Sequence, residues 1–354
     1  MSTARVSHAG AAVRARVQLP TIPLLKHALK TGLAVGLAVW LARLAGLEDP
    51  YWAGISAAVV SNPNLGGSIG SALSRVGATV AGLALGLAAL TLFGQGIVVG
   101  AVVVGVAVLV LPMIGITTGV RLGAATTLIL TVYPATDELV VAVSRGLNIP
   151  LGSAVAVLVG LLVWPSRASR ALRSRLRADV ASVGVLARDA LAGYAGTGSV
   201  DVIHEQVRAI EHAPAAHAAL LRDATREPGA GAALQRQTDV AARLVAETIT
   251  LSRAATSGAG DRAAELLAPQ LLGVGDAIEQ TTRTYADRVE APAFAEAVGR
   301  AEQAVAALRA ALDELRSRRG TVTYTSDELL HLLSTIQATQ ALVGYLVGLG
   351  QPEE

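Results

Sequence analysis

Residues 151–177 read LGSAVAVLVGLLVWPSRASRALRSRLR, so a long apolar run ends at Trp164-Pro165 and a basic, helix-forming run follows it. The two sides of this boundary differ along their whole length. Residues 1–165 carry nine Lys or Arg and four Asp or Glu side chains, whereas residues 166–354 carry 20 and 23. We therefore predict an all-α protein with three parts: a cytosolic tail over 1–23, a six-helix transmembrane domain over 24–165 and a cytosolic helical bundle over 166–354.

Six apolar segments precede the boundary. They run over 24–46, 51–61, 68–93, 97–114, 115–133 and 139–164. A helix needs roughly 20 apolar residues to cross a hydrocarbon core about 30 Å thick, so the second segment, which stops at Asn62-Pro63, spans in part or enters at a tilt. The alternative is a soluble α/β protein with buried strands. It is disfavoured because such strands contain about 4–8 residues.

Glycines spaced four residues apart recur in these segments and predict closely packed membrane helices. A glycine lets two helix backbones approach each other, which matters in lipid because apolar burial does not drive helices together there. The pairs are Gly32/Gly36, Gly82/Gly86, Gly96/Gly100, Gly115/Gly119 and Gly119/Gly123.

The distribution of charge predicts the topology. Basic residues, Lys26 and Lys30 among them, lie before or at the start of the first segment, and others follow the sixth. The acids Glu48, Asp49, Asp137 and Glu138 lie in loops that would face the other side. The positive-inside rule then places the N- and C-termini in the cytoplasm. The first 21 residues lack the apolar core of a signal peptide. With two lysines against 27 arginines, the composition is typical of a GC-rich genome, so we expect the bacterial plasma (inner) membrane.

Three arginines lie inside or at the edge of the apolar segments: Arg75, Arg121 and Arg145. A charge near the bilayer centre costs about 2.5–3.5 kcal/mol on insertion scales, so it usually faces a bundle interior or an aqueous path. Snorkelling to the membrane surface stays open for Arg75 and Arg121. Because the acids of this half lie in the outer loops, the pattern predicts a positively charged path for anions. Further polar candidates along this path are Thr79, Asn62 and Asn64.

A second pattern begins with YWAGISAAVV over 51–60, continues with Pro63 and ends with RVGATVAG over 75–82. It resembles the fusaric acid resistance / aromatic acid exporter family, which is related to the plant aluminium-activated malate transporters. In that family a short Trp-led helix and a Pro precede an Arg, which is followed by Gly-Thr and a further Gly. Ala78 stands here where that Gly is usual. The residues that keep the spacing are Tyr51, Trp52, Pro63, Arg75, Thr79 and Gly82.

The resemblance covers about residues 24–165. It implies six membrane helices, a cytosolic helical domain, and export or conduction of small organic anions, aromatic ones included. It also implies that two membrane halves enclose the path. Since this chain carries one such half, we expect a homodimer or another homo-oligomer in the lipid bilayer. By the same resemblance, Arg75 and Thr79 are the first residues to test.

Residues 166–354 predict five or six helices, with breaks at 193–198, 228–229, 257–260, Pro292 and Gly320. Ser199 and Asp261 are N-cap candidates, and Thr325 with Glu328 forms a possible capping box. The last helix, 329–350, has the length of a seventh span. Its polar residues favour a buried helix of the cytosolic bundle instead: Ser334, Thr335, Gln337, Thr339 and Gln340.

Other functional classes lack their signatures. His204, His212 and His217 do not have tight zinc-ligand spacing, so we expect no metal. Without a phosphate loop we expect no cofactor, and transport that is passive or driven by an ion gradient. No catalytic residues are identified, so we expect no enzyme, and without a basic stripe with interleaved aromatics we expect no nucleic-acid partner. The alternative to transport is a membrane-anchored interaction or sensor protein whose cytosolic bundle binds a partner.

Overall fold

A computed structural model describes residues 21–116, 119–132, 138–227, 232–259, 261–288, 290–317 and 324–349. Within these ranges every regular element is a helix, which confirms the all-α class. The helices are α1 (Ile22–Leu44), α2 (Tyr51–Val60), α3 (Leu65–Phe93), α4 (Ile97–Met113), α5 (Val120–Val132), α6 (Glu138–Leu162), α7 (Ala168–Tyr194), α8 (Val200–Ile210), α9 (Ala213–Ala224), α10 (Ala232–Ser257), α11 (Arg262–Leu266), α12 (Ala268–Ala286), α13 (Ala291–Ser317) and α14 (Ser326–Leu349).

The chain divides into two compact units, with one division at Trp164-Pro165. The first unit comprises Met1–Asn62 and Arg75–Trp164, and the second comprises Pro63–Ser74 and Pro165–Glu354. Helix α3 crosses this division, because its first ten residues pack within the second unit. There Gly66 contacts the backbone of Asp223, and the Leu65 N–H donates to the Ser166 carbonyl at 3.0 Å.

Four described helical segments are long and apolar enough to cross a membrane: Ile22–Leu44, Leu65–Phe93, Ala142–Leu162 and Ser326–Leu349. The helices α2, α4 and α5 are apolar but shorter, with 10, 17 and 13 residues. A crossing number of six therefore stays a prediction. In the first unit, α1 and α4 each present an exposed apolar face, which includes Leu33 and Trp40 on α1 and Val102 on α4. Such faces are suited to contact with lipid.

Glycine contacts bring the helices of the first unit together. A Cβ on Gly82 in α3 would lie 2.5 Å from the carbonyl oxygen of Gly123 in α5, so these backbones touch. Gly86 and Gly100 also contact residues of α5, Gly100 through side chains alone, so four of the predicted glycine positions lie at contacts between helices. Gly32 and Gly36 differ, because a Cβ at either position would meet nothing within 4 Å. The spacing of glycines in the sequence thus identifies positions suited to close helix contact, but it does not show at which of them another helix is in contact.

The second unit has a single apolar core built from α7 to α14 within the described residues. The structure contains eight helices there, whereas the sequence predicted five or six. Two prolines explain part of the difference, because Pro214 and Pro269 each lie in the first turn of a new helix, where a missing N–H costs nothing. The predicted breaks at 228–229 and at Gly320 lie outside the described residues.

The last helix, α14, packs against α10 and α13 in this core. Leu332, Ile336 and Leu342 are buried there, which favours a helix of the bundle over a seventh span. Its predicted capping box is confirmed: the Glu328 N–H donates to Thr325 Oγ1 at 3.2 Å, and the Thr325 N–H donates to Glu328 Oε2 at 2.7 Å.

The other two predicted N-caps, Ser199 and Asp261, are confirmed in position but not in hydrogen bonding. Ser199 and Asp261 do occupy N-cap positions, but neither side chain makes a capping hydrogen bond. Asp261 instead accepts a contact from His331 Nδ1 at 3.2 Å. The first turn of α7 is capped from a distance in sequence, by the buried carboxylate of Glu227, which accepts the N–H of Ala168 at 2.5 Å.

Candidate functional site

Arg75 lies on the buried face of α3 in the first unit, and its side chain is 3% exposed. Its Nε donates to Ser56 Oγ on α2 at 2.8 Å. Its Nη1 is buried and has no hydrogen-bond partner. Thr79, one turn later, turns its hydroxyl back to the Arg75 carbonyl at 2.8 Å, so that the threonine stays buried without competing for the guanidinium. Helix α3 therefore presents to its neighbours a buried guanidinium group whose Nε is hydrogen-bonded and whose Nη1 is not.

Ser56 joins three helices at this point. Its hydroxyl lies 2.9 Å from the Ile149 carbonyl and 3.0 Å from Ser153 Oγ, both on α6. Ser153 also donates to the Ile149 carbonyl at 2.8 Å. Close contact between Gly152 and the carbonyl of Ala53 lets α2 and α6 approach closely enough for these bonds. The arginine is thus held by a hydroxyl that is itself fixed by α6.

Arg145 on α6 is the second buried cation of the first unit, and it is also 3% exposed. Its guanidinium carbon lies 3.8 Å from the centroid of the Trp52 ring, a cation–π contact. The Trp52 ring is in turn 5.4 Å from the ring of Tyr51. Arg145 Nη2 is buried without a hydrogen-bond partner. Asp49 and Arg75 are both close enough to Arg145 to interact with it electrostatically.

Two polar residues fix α6 to the loop before α2. Ser144 Oγ donates to the Glu48 carbonyl at 2.5 Å, and Asn148 Nδ2 donates to the same oxygen at 2.7 Å. The Asn148 Oδ1 atom is buried and without a partner. Along α2, Trp52 and Ser56 are four residues apart and so share one face. Arg145 contacts the first of these residues and Arg75 the second.

This cluster carries more positive than negative charge, because Asp49 is the one acid that acts on its two arginines among the described residues. In the part of the chain that the structure describes, neither Arg75 nor Arg145 forms a salt bridge, and each keeps an unpaired buried N–H group. Burial of an ion without a counter-charge costs several kcal/mol even after relaxation, and a bound anion removes most of that cost. Guanidinium groups also bind carboxylates through two parallel hydrogen bonds. The geometry therefore suits an organic anion.

The remaining predicted residues lie elsewhere. Arg121 is the second residue of α5 and is exposed, and none of the cluster's contacts involves it. Asn62 Nδ2 donates to the Val60 carbonyl at 2.9 Å, and the Asn64 carbonyl accepts the Ser68 N–H at 3.1 Å, so both asparagines end or begin helices. Gly82 provides the contact with α5 described above, while Tyr51 is exposed.

Sequence reasoning missed Ser56, Ser144, Asn148 and Ser153. A signal was present on α6 for two of them, because Ser144 and Asn148 are four residues apart and therefore lie on the same side of the helix. Among the described residues, no group of three or more His, Asp or Glu side chains is placed to hold a metal ion.

Comparison with known proteins identifies a matching family and related transporters. A model of the fusaric acid resistance protein family matches residues 24–344. The chain is also similar to the uncharacterized transporter YdhK of Escherichia coli (strain K12), with 41% identity over 70 residues, which is 20% of this chain and 10% of the relative. The Salmonella typhimurium (strain LT2) protein of the same name is 42% identical over 57 residues, or 16% of this chain and 8% of its own. The matched region thus spans about a tenth of the length of these curated relatives.

Proposed function

The chain belongs to the fusaric acid resistance protein family, and we propose that it is a multi-pass membrane transporter that moves small organic anions, aromatic carboxylates included. The observation that carries the proposal is the pair Arg75 and Arg145, buried among α2, α3 and α6 with unpaired guanidinium N–H groups. The names of the relatives support membrane transport. The substrate class rests on the charge of this pair.

The two cations act in sequence in this proposal. An anion leaves water at the cytoplasmic side, meets Arg75 beside Ser56, and passes to Arg145 beside Trp52. The Trp52 ring stabilises the second guanidinium while no anion is present, so that Arg145 need not capture a permanent carboxylate partner. Weak, repeated binding of this kind favours conduction, because an ion must be able to leave each site.

The proposed setting is the bacterial inner membrane, with both termini in the cytoplasm and a homo-oligomer as the working form. The positive-inside distribution of the basic residues supports the orientation. The exposed apolar faces of α1 and α4 leave room for a second copy as well as for lipid. The second unit, with its own buried core, supplies assembly or gating rather than the path itself.

The test is efflux of radiolabelled benzoate from proteoliposomes. Arg75→Met removes a charge-assisted interaction, and such interactions contribute about 1.5–3 kcal/mol, so we expect flux to fall about 10- to 100-fold. Arg121→Met serves as the matched control, because it removes the same charge from an exposed position and should leave flux within about twofold. Ser56→Ala, which deprives Arg75 Nε of its acceptor, should lie between the two. Equal flux from wild type and Arg75→Met would remove Arg75 from the mechanism.

A further inference from the structure

The chain's two lysines, Lys26 and Lys30, lie one turn apart on α1 and differ in environment. Lys26 is exposed, whereas Lys30 is 7% exposed and heads a buried row that continues with Ala34 and Ala38. The two alanines let α1 pack closely against α2 and α6. Most of the Lys30 residue therefore lies in this interface.

Two further polar atoms lie beside Lys30 without partners. The spacing of His27, Lys30 and Thr31 places all three on one side of α1. His27 Nδ1 and Thr31 Oγ1 are buried and make no hydrogen bond. Across the described part of the chain, the Lys30 side chain forms neither a salt bridge nor a hydrogen bond. One helical turn therefore presents an amine, an imidazole and a hydroxyl that all lack partners.

Two carbonyls in the last turn of α2, which α1 packs against, already accept hydrogen bonds. The side chains of Val35 and Val39 contact Gly54, and α1 and α2 are joined by a short loop, so the pair is antiparallel and Lys30 lies level with the last turn of α2. The carbonyls there have other donors. Ser61 Oγ donates to the Ala57 carbonyl at 2.9 Å, and Asn62 Nδ2 donates to the Val60 carbonyl at 2.9 Å. Buried polar groups in proteins are nearly always hydrogen-bonded, so the unpaired set indicates a bound group.

We propose that Lys30, with His27 and Thr31, forms a second anion-binding subsite, which takes the carboxylate of a small organic acid on the cytoplasmic side of Arg75. The proposal rests on the transport function stated above and adds a separate location to it. The ammonium supplies the charge, and the hydroxyl and imidazole supply the remaining hydrogen bonds. No contact of this subsite is shared with Ser56 or Arg145.

Competitive labelling tests occupancy without measuring transport. The full-length protein in phosphatidylcholine vesicles is treated briefly with acetic anhydride, with and without benzoate. Acetylation of each lysine is then read by tandem mass spectrometry of the peptide between Arg16 and Arg43, which holds both. An anion beside Lys30 covers the amine and favours its unreactive charged form. At a benzoate concentration ten times its Kd, mass action predicts that labelling of Lys30 falls about tenfold. Labelling of the exposed Lys26 should not change, which provides the internal control.

Flux measurements complete the test. Lys30→Met should raise the benzoate concentration for half-maximal flux from the cytoplasmic side about tenfold, the size expected for loss of one charge-assisted hydrogen bond. Lys30→Arg should restore most of it, and Lys26→Met should match wild type. A purely structural role for Lys30 would lower the maximal rate instead and would give no protection by benzoate.

The outcomes separate this proposal from the function on which it rests. Protection of Lys30 by benzoate in a protein that carries no benzoate would overturn the transport function and leave the subsite. Arg75-dependent flux with no protection of Lys30 would overturn the subsite alone. Protection that requires phosphatidylglycerol vesicles and not benzoate would identify a lipid headgroup as the occupant, and would also overturn it.

Discussion

Replacement of Gly82 by alanine tests the packing of the first unit where the backbone of α3 lies closest to that of α5. The new Cβ would lie 2.5 Å from the Gly123 carbonyl oxygen and 3.1 Å from the Gly123 Cα. Carbon–oxygen contacts of this kind normally measure about 3.3–3.6 Å. The two helices must therefore separate by about 1 Å. Thr127 Oγ1 now donates to the Gly82 carbonyl at 3.0 Å, and that bond would lengthen beyond hydrogen-bonding range.

The cost follows from three terms. Overpacking of a tight interface costs about 1–3 kcal/mol. A hydrogen bond between membrane helices contributes about 0.6 kcal/mol on average. Alanine returns up to about 1 kcal/mol because it forms helix more readily than glycine. The net loss is about 1–3 kcal/mol, and for a unit of roughly 150 residues it lowers the apparent Tm by about 3–10 °C.

The measurement is thermal unfolding of the full-length protein in detergent, followed by far-UV circular dichroism and by a thiol-free fluorescence probe of exposed apolar surface. Gly36→Ala is the matched control, because a Cβ at Gly36 meets nothing within 4 Å. It should leave the Tm unchanged or raise it. If Gly82→Ala melts with wild type, or if Gly36→Ala falls by the same amount, the described α3–α5 contact does not stabilise the protein.

Two predictions concern the second unit. Hydrogen bonds from the backbone and side chain of Thr325 lower the pKa of Glu328. The capping box therefore stabilises α14 fully above pH 4.5, the ordinary pKa of the carboxyl group, and loses that effect as the pH falls through the lower pKa of the folded state. The protection factors for amide hydrogen exchange in the first turn of α14, which compare each rate with the intrinsic rate at the same pH, should therefore fall at low pH in wild type and show no such step in Glu328→Gln. Glu227→Gln removes the buried charge that caps α7 at Ala168, and should lower the free energy of unfolding by about 1–2 kcal/mol. Thermal unfolding, as used for Gly82→Ala, measures the change. The control is Glu302→Gln at an exposed position, which should change the free energy of unfolding by less than about 0.5 kcal/mol.

Helix positions in the first unit were largely predictable from the sequence. All six apolar segments correspond to helices, and the stops at Asn62-Pro63 and at Gly94–Gly96 agree with the structure within a few residues. Glycine and proline act locally, through allowed dihedral angles and a missing donor, so the surrounding fold does not alter them. The second unit was harder, because a proline in a polar helical run marks the first turn of a new helix as readily as an interruption of one. Pro214 and Pro269 were both of this kind.

The candidate site was predictable only in part. An arginine in an apolar segment is visible in any composition profile, and Arg75 and Arg145 were found in this way. Ser56 was not, because a serine in a helix that follows Trp52 carries no distinctive signal until α6 is packed against it. Lys30 was assigned to the positive cytoplasmic flank together with Lys26. The assignment used charge alone, whereas the structure separates the two lysines by the face of α1 on which each lies.

Phase relative to the contact glycines explains why Arg75 and Arg145 are buried while Arg121 is exposed. Arg75 precedes Gly82 by seven residues, and Arg145 precedes Gly152 by seven. Seven residues are close to two helical turns, so each arginine lies on the same face as a glycine that touches a neighbouring backbone.

Arg121 precedes its contact glycine, Gly123, by only two residues, which places the two on opposite sides of α5. In all three helices the glycine marks the face that packs against protein, and a charge in phase with it is turned inward. Burial of these three arginines therefore follows their spacing from the glycine of the same helix that touches a neighbouring backbone in the first unit. Depth along the segment does not separate these cases, since Arg75 is the eighth residue of the predicted segment 68–93 and Arg121 the seventh of 115–133.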